Sequence, residues 1–310
     1  MHKHKHKLKQ KPRFSKEPSQ KPTPTPFMTT PASHPTQTGY TQERLKGPAC
    51  TLNVRRYGPA GSPSVLMTSS ILASSQMWHE QALLLSACGF QVLCLDTRGH
   101  GDSESVEGPY HMNDLVADSV SVLDHFGLDQ AHYVGLSLGG MSGFGLAEQH
   151  ANRLLSLLLC DCRADMTPAF AAPWDERIAL AKAQGTSALA RPTLERWFGP
   201  SFLDSHAATT ERFMADISRT QVSGFVGCAQ SIQSLDYLSA VGSIRVPITL
   251  LVGANDGPLP SAMASIKDAI SGAKLEVIAD SGHLPNIDQP LRFNAAMMRH
   301  FFQNPAWSIS

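Results

Sequence analysis

The 310-residue chain carries 26 basic and 26 acidic residues, and 42% of it is hydrophobic. The charge is unevenly placed: residues 1–38 hold eight lysines and arginines against Glu17 alone, which leaves 18 basic against 25 acidic residues, a net of −7, on the remainder. A mildly acidic body argues against a nucleic-acid or anionic-membrane binder, and no apolar run reaches the roughly 18 to 20 residues that span a bilayer.

Residues 1–38 alternate His with Lys and then turn rich in Pro, Ser and Thr. This is the composition of a disordered expression tag and linker, not of a fold. The segment has no apolar h-region, so a cytoplasmic protein is expected. His2, His4 and His6 suit a metal resin better than a structural metal site. The remaining residues suffice for one large domain with a substantial core. Cys50, Cys88, Cys94, Cys160, Cys162 and Cys228 lie mostly in apolar segments, as buried free thiols of a reducing compartment do. Cys160-x-Cys162 lacks the second pair that a zinc site needs.

The first strand is read at Cys50–Tyr57, ended by Gly58-Pro59-Ala60-Gly61. A short buried strand follows at Ser64–Thr68, then the loop Ser69–Ser74 and a helix from about Gln76 to Cys88. Gln91–Asp96 is the third strand and Thr97–Ser103 (TRGHGDS) a glycine-rich loop, in which His100 is expected to be structural. Met112, Leu115, Val116, Val122, Leu123 and Phe126 repeat with helical period. Apolar strands come next at Ala131–Leu136, Leu154–Cys160, Ile248–Gly253 and Lys274–Ile278. The closing helix carries Phe293, Met297 and Phe301 four apart. Continuous apolar strands alternating with helices predict an α/β protein with a mostly parallel, doubly wound sheet. The rhythm breaks between Arg163 and Gly242, where only helical patches occur. Residues 39–162 and 244–310 are therefore read as the core, and 163–243 as an inserted helical lid.

Between Ala131 and His150 the chain reads as strand, sharp turn and helix, with Gly135-Leu136-Ser137-Leu138-Gly139 at the turn. This is G-x-S-x-G in the setting that a nucleophile elbow requires. Side chains at 135 and 139 would block the returning helix, and Ser137 must accept a strained backbone. A serine needs a base to take its proton, and the base needs a carboxylate to hold it. His283 follows the last strand and Asp256 the strand before it, in the order Ser, Asp, His. Asp161, after strand 154–160, is the rival acid, with Asp256 preferred. The oxyanion of acyl transfer needs two amides. Leu138 supplies one, and Ile71, in the loop after strand 64–68, is the candidate for the other.

The chain resembles α/β-hydrolases of the 3-oxoadipate enol-lactonase-like group from about residue 48 to 303. The resemblance rests on Asp96–Ser103, Gly135–Gly140, Asp256 and Ser281-Gly282-His283. In the insertion it rests on Pro173–Ile178, Leu194–Phe198 and Gly224–Cys228. It implies an α/β-hydrolase fold, a Ser137–His283–Asp256 triad and a small-molecule ester or lactone substrate, with no cofactor or metal. Where that group has Asn-Ser-Leu-Gly in its oxyanion loop, this chain has Ser69-Ser70-Ile71-Leu72. Leu72 in place of glycine is expected to narrow the pocket or shift the loop. A cation for a substrate carboxylate would be Arg163. Leu72, Trp78, Arg163, Trp174, Trp197 and Phe225 are the expected pocket residues. Two other readings are weighed: acyl transfer to peroxide or another nucleophile on the same triad, and a non-catalytic small-molecule binder. Nothing in the residues decides the oligomeric state.

Overall fold

A computed structural model describes residues 39–302; the tag and linker read at 1–38 lie outside them. Its framework is an eight-stranded sheet of order β1-β2-β4-β3-β5-β6-β7-β8. The strands are β1 (Thr41–Lys46), β2 (Thr51–Tyr57), β3 (Ser64–Thr68), β4 (Gln91–Leu95), β5 (Ala131–Leu136), β6 (Leu154–Cys160), β7 (Ile248–Gly253) and β8 (Lys274–Ile278). The pairs β1–β2 and β2–β4 are antiparallel and the other pairs parallel. β3, β4, β5 and β7 are buried along their whole length. That is why they read as unbroken apolar runs instead of alternating ones. β1 has the sequence TQERLK, with only Leu45 fully buried. It has no apolar run, and it exists as a strand by pairing with β2 at the sheet edge.

Helices α1 (His79–Ala87), α2 (Met112–His125) and α3 (Leu138–Gln149) connect the first parallel strands. Between β6 and β7 the chain forms α4 (Pro168–Gln184), α5 (Ser187–Phe198), α6 (Pro200–Ser205), α7 (Ala207–Arg219) and α8 (Val222–Gln233). The helices α9 (Leu259–Ala269), α10 (Pro285–Asp288) and α11 (Pro290–Phe302) complete the chain. The cysteines are free thiols. No helix among the described residues is long and apolar enough to cross a membrane.

Order in the sheet decides where chemistry can occur. β3 lies against β5, with Thr68 opposite Gly135. The loop after β3 and the turn after β5 therefore leave the same edge side by side. β6, β7 and β8 follow in spatial succession, so the residues after each of them line up along that edge. Ligands collect outside the carboxyl ends of such strands. Two polar clusters hold the arrangement from within. Arg98 makes a bidentate pair with Asp118 of α2, both contacts 2.7 Å and both side chains 3% exposed. This ties the TRGHGDS loop to α2. His100 in that loop is fully buried and meets the Arg98 carbonyl through Nδ1 at 3.0 Å. Burial holds its pKa below the ordinary value, so it stays neutral.

The second cluster runs through the sheet. His132 Nδ1 meets Ser156 Oγ at 2.7 Å, Ser156 Oγ meets His300 Nε2 at 2.8 Å, and His300 Nδ1 meets Thr249 Oγ1 at 2.9 Å. Burial lowers His132 to about 4, and burial with the nearby His132 lowers His300 to about 3, both from 6.5. Both imidazoles are neutral in the folded state and gain their protons more readily when unfolded. Stability contributed by this cluster is therefore present above pH 6.5 and is lost as pH falls from 6.5 toward about 4. The expected slope is about 1.4 kcal/mol per pH unit for each histidine. Denaturant titrations across that window should show the loss, and a His132→Asn/His300→Asn variant should show a flatter limb. An unchanged slope in the variant would refute this origin.

Candidate active site

Ser137 stands between β5 and α3 at φ 54°, ψ −113°. This is a conformation that side chains avoid, and such strain collects at functional sites. The glycines on either side allow it. A Cβ at 135 would lie 2.3 Å from the Gly139 carbonyl oxygen, and one at 139 would lie 2.5 Å from the Thr68 carbonyl oxygen. The Tyr133 hydroxyl clamps the turn from beneath. It donates to the Gly139 carbonyl at 2.7 Å and meets Thr68 Oγ1 at 2.6 Å and Ser142 Oγ at 2.8 Å.

The Gly139 amide donates to the Ser69 carbonyl and the Met141 amide to the Ser137 carbonyl. The first bond stitches the loop after β3 to the start of α3, and the second closes the first turn of α3. The amides of Leu138 and Ile71 have no hydrogen-bond acceptor among the described residues. Leu138 is the first residue of α3, where an amide has no partner within its helix. Leu72 adopts a left-handed φ of 67°, a conformation that favours glycine.

Asp256 and His283 are brought together. The Ala254 amide donates to Ile278 and the Asn255 amide to Ser281, which zips the loops after β7 and β8. His283 Nδ1 then lies 2.7 Å from Asp256 Oδ2. Asp288 anchors the histidine loop, accepting from Ser281 Oγ at 2.6 Å and from the Gly282 amide at 2.7 Å. Trp197 covers the imidazole, with ring centroids 6.2 Å apart and planes at 26°. Its carbonyl accepts the His283 amide at 2.9 Å. Asp161, the rival acid, is completely buried and accepts the Gly253 amide at 2.8 Å. The histidine is bonded to Asp256. Asp161, Asp256 and His283 also form a group with ligand atoms within 4.8 Å of one another, but the Nδ1 and Oδ2 atoms of that group are already bonded to each other.

A cavity of about 280 Å³ opens over these residues. Ser137, Asp161, Asp256 and His283 line it, together with Ile71, Met141, Pro258 and Leu259. The insertion contributes Arg163, Met166, Phe170, Pro173, Trp174, Arg177, Arg196, Trp197 and Ile232. Three residues expected in the pocket lie outside it. Trp78 is wholly buried, donates its indole N–H to the Thr68 carbonyl at 3.2 Å and packs on Phe293. Leu72 is buried in the core and does not line the cavity. Phe225 sits behind Trp174, ring centroids 6.5 Å apart, and is fully covered.

The cations of the cavity differ in their partners. Arg163 pairs with Asp165 at 3.1 Å and lies over Phe170. Arg177 lies over the Trp174 ring and has no carboxylate partner among the described residues; Arg196 has none either. Burial lowers the pKa of Arg177. Burial, followed by the charge of Arg177, brings Arg196 down to about 10. Both remain charged at neutral pH. Neither was singled out from the sequence. Each lies in a segment quoted for the family resemblance, but nothing local indicates that the two side chains converge on one cavity.

Comparison with known proteins gives the family. Residues 63–290 match the family described as alpha/beta hydrolase fold. The 3-oxoadipate enol-lactonase 2 of Acinetobacter baylyi is 29% identical over 257 residues, covering 83% of this chain and 95% of that protein. The crystal structure of a hydrolase from Pseudomonas aeruginosa is 32% identical with a TM-score of 0.79, covering 84% of this chain and 97% of the other. The enol-lactonase from Burkholderia xenovorans is 28% identical with a TM-score of 0.80, covering 84% of this chain and all of that one. With the family matched over most of its length, the chain belongs to the α/β-hydrolase family.

Proposed function

We propose that this protein is a serine hydrolase of carboxylic esters or lactones that works through an acyl-serine intermediate. The observation that carries the reading is the 2.7 Å contact between His283 Nδ1 and Asp256 Oδ2 beside a cavity that Ser137 also lines. With Nδ1–H given to Asp256, the free Nε2 is the base. It takes the proton of Ser137 as Oγ attacks the carbonyl carbon. The oxyanion forms against the open amides of Leu138 and Ile71, each such donor lowering the barrier by about 3 to 4 kcal/mol. His283 returns the proton to the departing alcohol oxygen. Water then repeats the cycle and frees the acid, with no cofactor drawn on. The insertion acts as the lid that excludes bulk water and shapes the acyl pocket.

The names of the enol-lactonase relatives favour a lactone as substrate. Arg177 and Arg196, cations without a carboxylate partner, favour one that carries a carboxylate of its own. A guanidinium held partly out of water gains most from an anion that arrives with the substrate.

Intact mass after treatment with a fluorophosphonate should show one adduct on the parent and none on Ser137→Ala. Adducts on both, or on neither, would defeat the assignment of Ser137. Asp256→Asn should still fold and lose about 10⁴-fold in kcat. Arg196→Met should raise KM for carboxylate-bearing lactones by about tenfold or more while sparing neutral esters, since an ion pair in such a site is worth about 1.5 to 3 kcal/mol. Equal losses on charged and neutral substrates would refute the carboxylate site.

A further inference from the structure

Asp161 follows β6 in a left-handed conformation, φ 46°, and is fully buried. One carboxyl oxygen, Oδ1, accepts the Gly253 amide at 2.8 Å. The other, Oδ2, is buried with no donor near it. An anionic oxygen left so would cost several kcal/mol. The neighbour that Asp161 does have is a second carboxylate, Asp256, which is itself bonded to His283. Polar atoms of the three residues lie within 4.8 Å of one another. Two carboxylates this close in a covered place do not both ionise.

We propose that Asp161 is a neutral carboxylic acid whose Oδ2–H donates to Asp256, making it a positioning residue for the Asp256–His283 pair. One proton resolves both anomalies, because the orphaned oxygen becomes a donor and the like charges become a hydrogen bond. The surroundings decide which acid keeps the proton. Asp256 faces His283 and the charge of Arg196. Asp161 faces Asp256, Asp288 and the buried thiols of Cys160 and Cys162. Burial first, and the Asp256 charge next, hold the Asp161 carboxyl well above the usual carboxylate range. A neutral donor also suits the task. It fixes the orientation of Asp256 without competing, as a cation would, for the charge that Asp256 offers to His283.

The role rests on the triad reading, while the neutral acid can be observed without it. Infrared difference spectra of the parent against Asp161→Asn at neutral pH should show the carbonyl band of a protonated carboxyl in the parent alone. Asp161→Asn keeps the shape, the acceptor for Gly253 and an N–H for Asp256. It should retain kcat within about threefold and leave the pH profile of kcat/KM in place, whereas Asp161→Leu should lose about 10- to 100-fold in kcat at unchanged KM. Asn as damaging as Leu, or Leu as active as the parent, would overturn the proposal. So would loss of parental turnover in a chelator, which would put a bridging cation where the proton is assigned. A fluorophosphonate adduct with no infrared band overturns the neutral acid alone. A band with no adduct overturns the triad reading and the positioning role with it.

Discussion

A serine hydroxyl presented at the end of a buried strand requires a backbone that L-amino acids avoid, and much of this molecule is arranged to hold that backbone in place. Ser137 sits at φ 54° because β5 must end, reverse and enter α3 within one residue. Gly135 and Gly139 leave the space, the Tyr133 hydroxyl grips the turn, and the Ser69 carbonyl captures the Gly139 amide. Strain of this kind costs about 1 to 3 kcal/mol and persists only where packing over-determines it. Left-handed side-chain-bearing residues recur around the site. Leu72 shapes the loop after β3, and Asp161 closes β6 beneath Asp256.

The cavity separates charge by origin. The sheet edge supplies the carboxyl groups and the imidazole. The insertion supplies the guanidinium groups of Arg177 and Arg196, which come from α4 and α5 and form no ion pair with a carboxylate among the described residues. Such an arrangement leaves an electrostatic gradient across a small, partly enclosed volume, where charge interactions are stronger than in bulk water. The apolar walls, Met141, Phe170, Trp174 and Leu259 among them, keep that volume from being solvated freely.

The parts legible in the sequence were those whose physics is local. A turn of Gly-Leu-Ser-Leu-Gly after an apolar run states its own geometry, and residues after successive parallel strands must share an edge. Asp256 and His283 could therefore be named before any contact was seen. β1 was illegible because TQERLK becomes a strand only through its pairing with β2. Leu72, Trp78 and Phe225 were misplaced for a related reason. Ile71 beside Leu72 lines the cavity, but Leu72 itself does not, and the indole bond of Trp78 to Thr68 and the packing of Phe225 on Trp174 are tertiary contacts that the sequence does not show. Arg177 and Arg196 converge on the cavity from two helices, which no local pattern encodes. Asp161 was visible as an acid at the right edge, but its burial against Asp256 was not.

The amide of His283 is bonded to the carbonyl of Trp197, at the C-terminal end of α5. The loop that carries His283 and the insertion are thus one mechanical part, joined through backbone and not only through side chains that evolution could exchange. An insertion that diverged by swapping helices would have to preserve the last turn of α5 or forfeit the placement of the imidazole. The same bond makes the segment a poor candidate for transplantation. The cavity-lining residues on α4 and the rim of α5 are the ones free to change, with the Trp197 carbonyl as the fixed point about which such changes are tolerated.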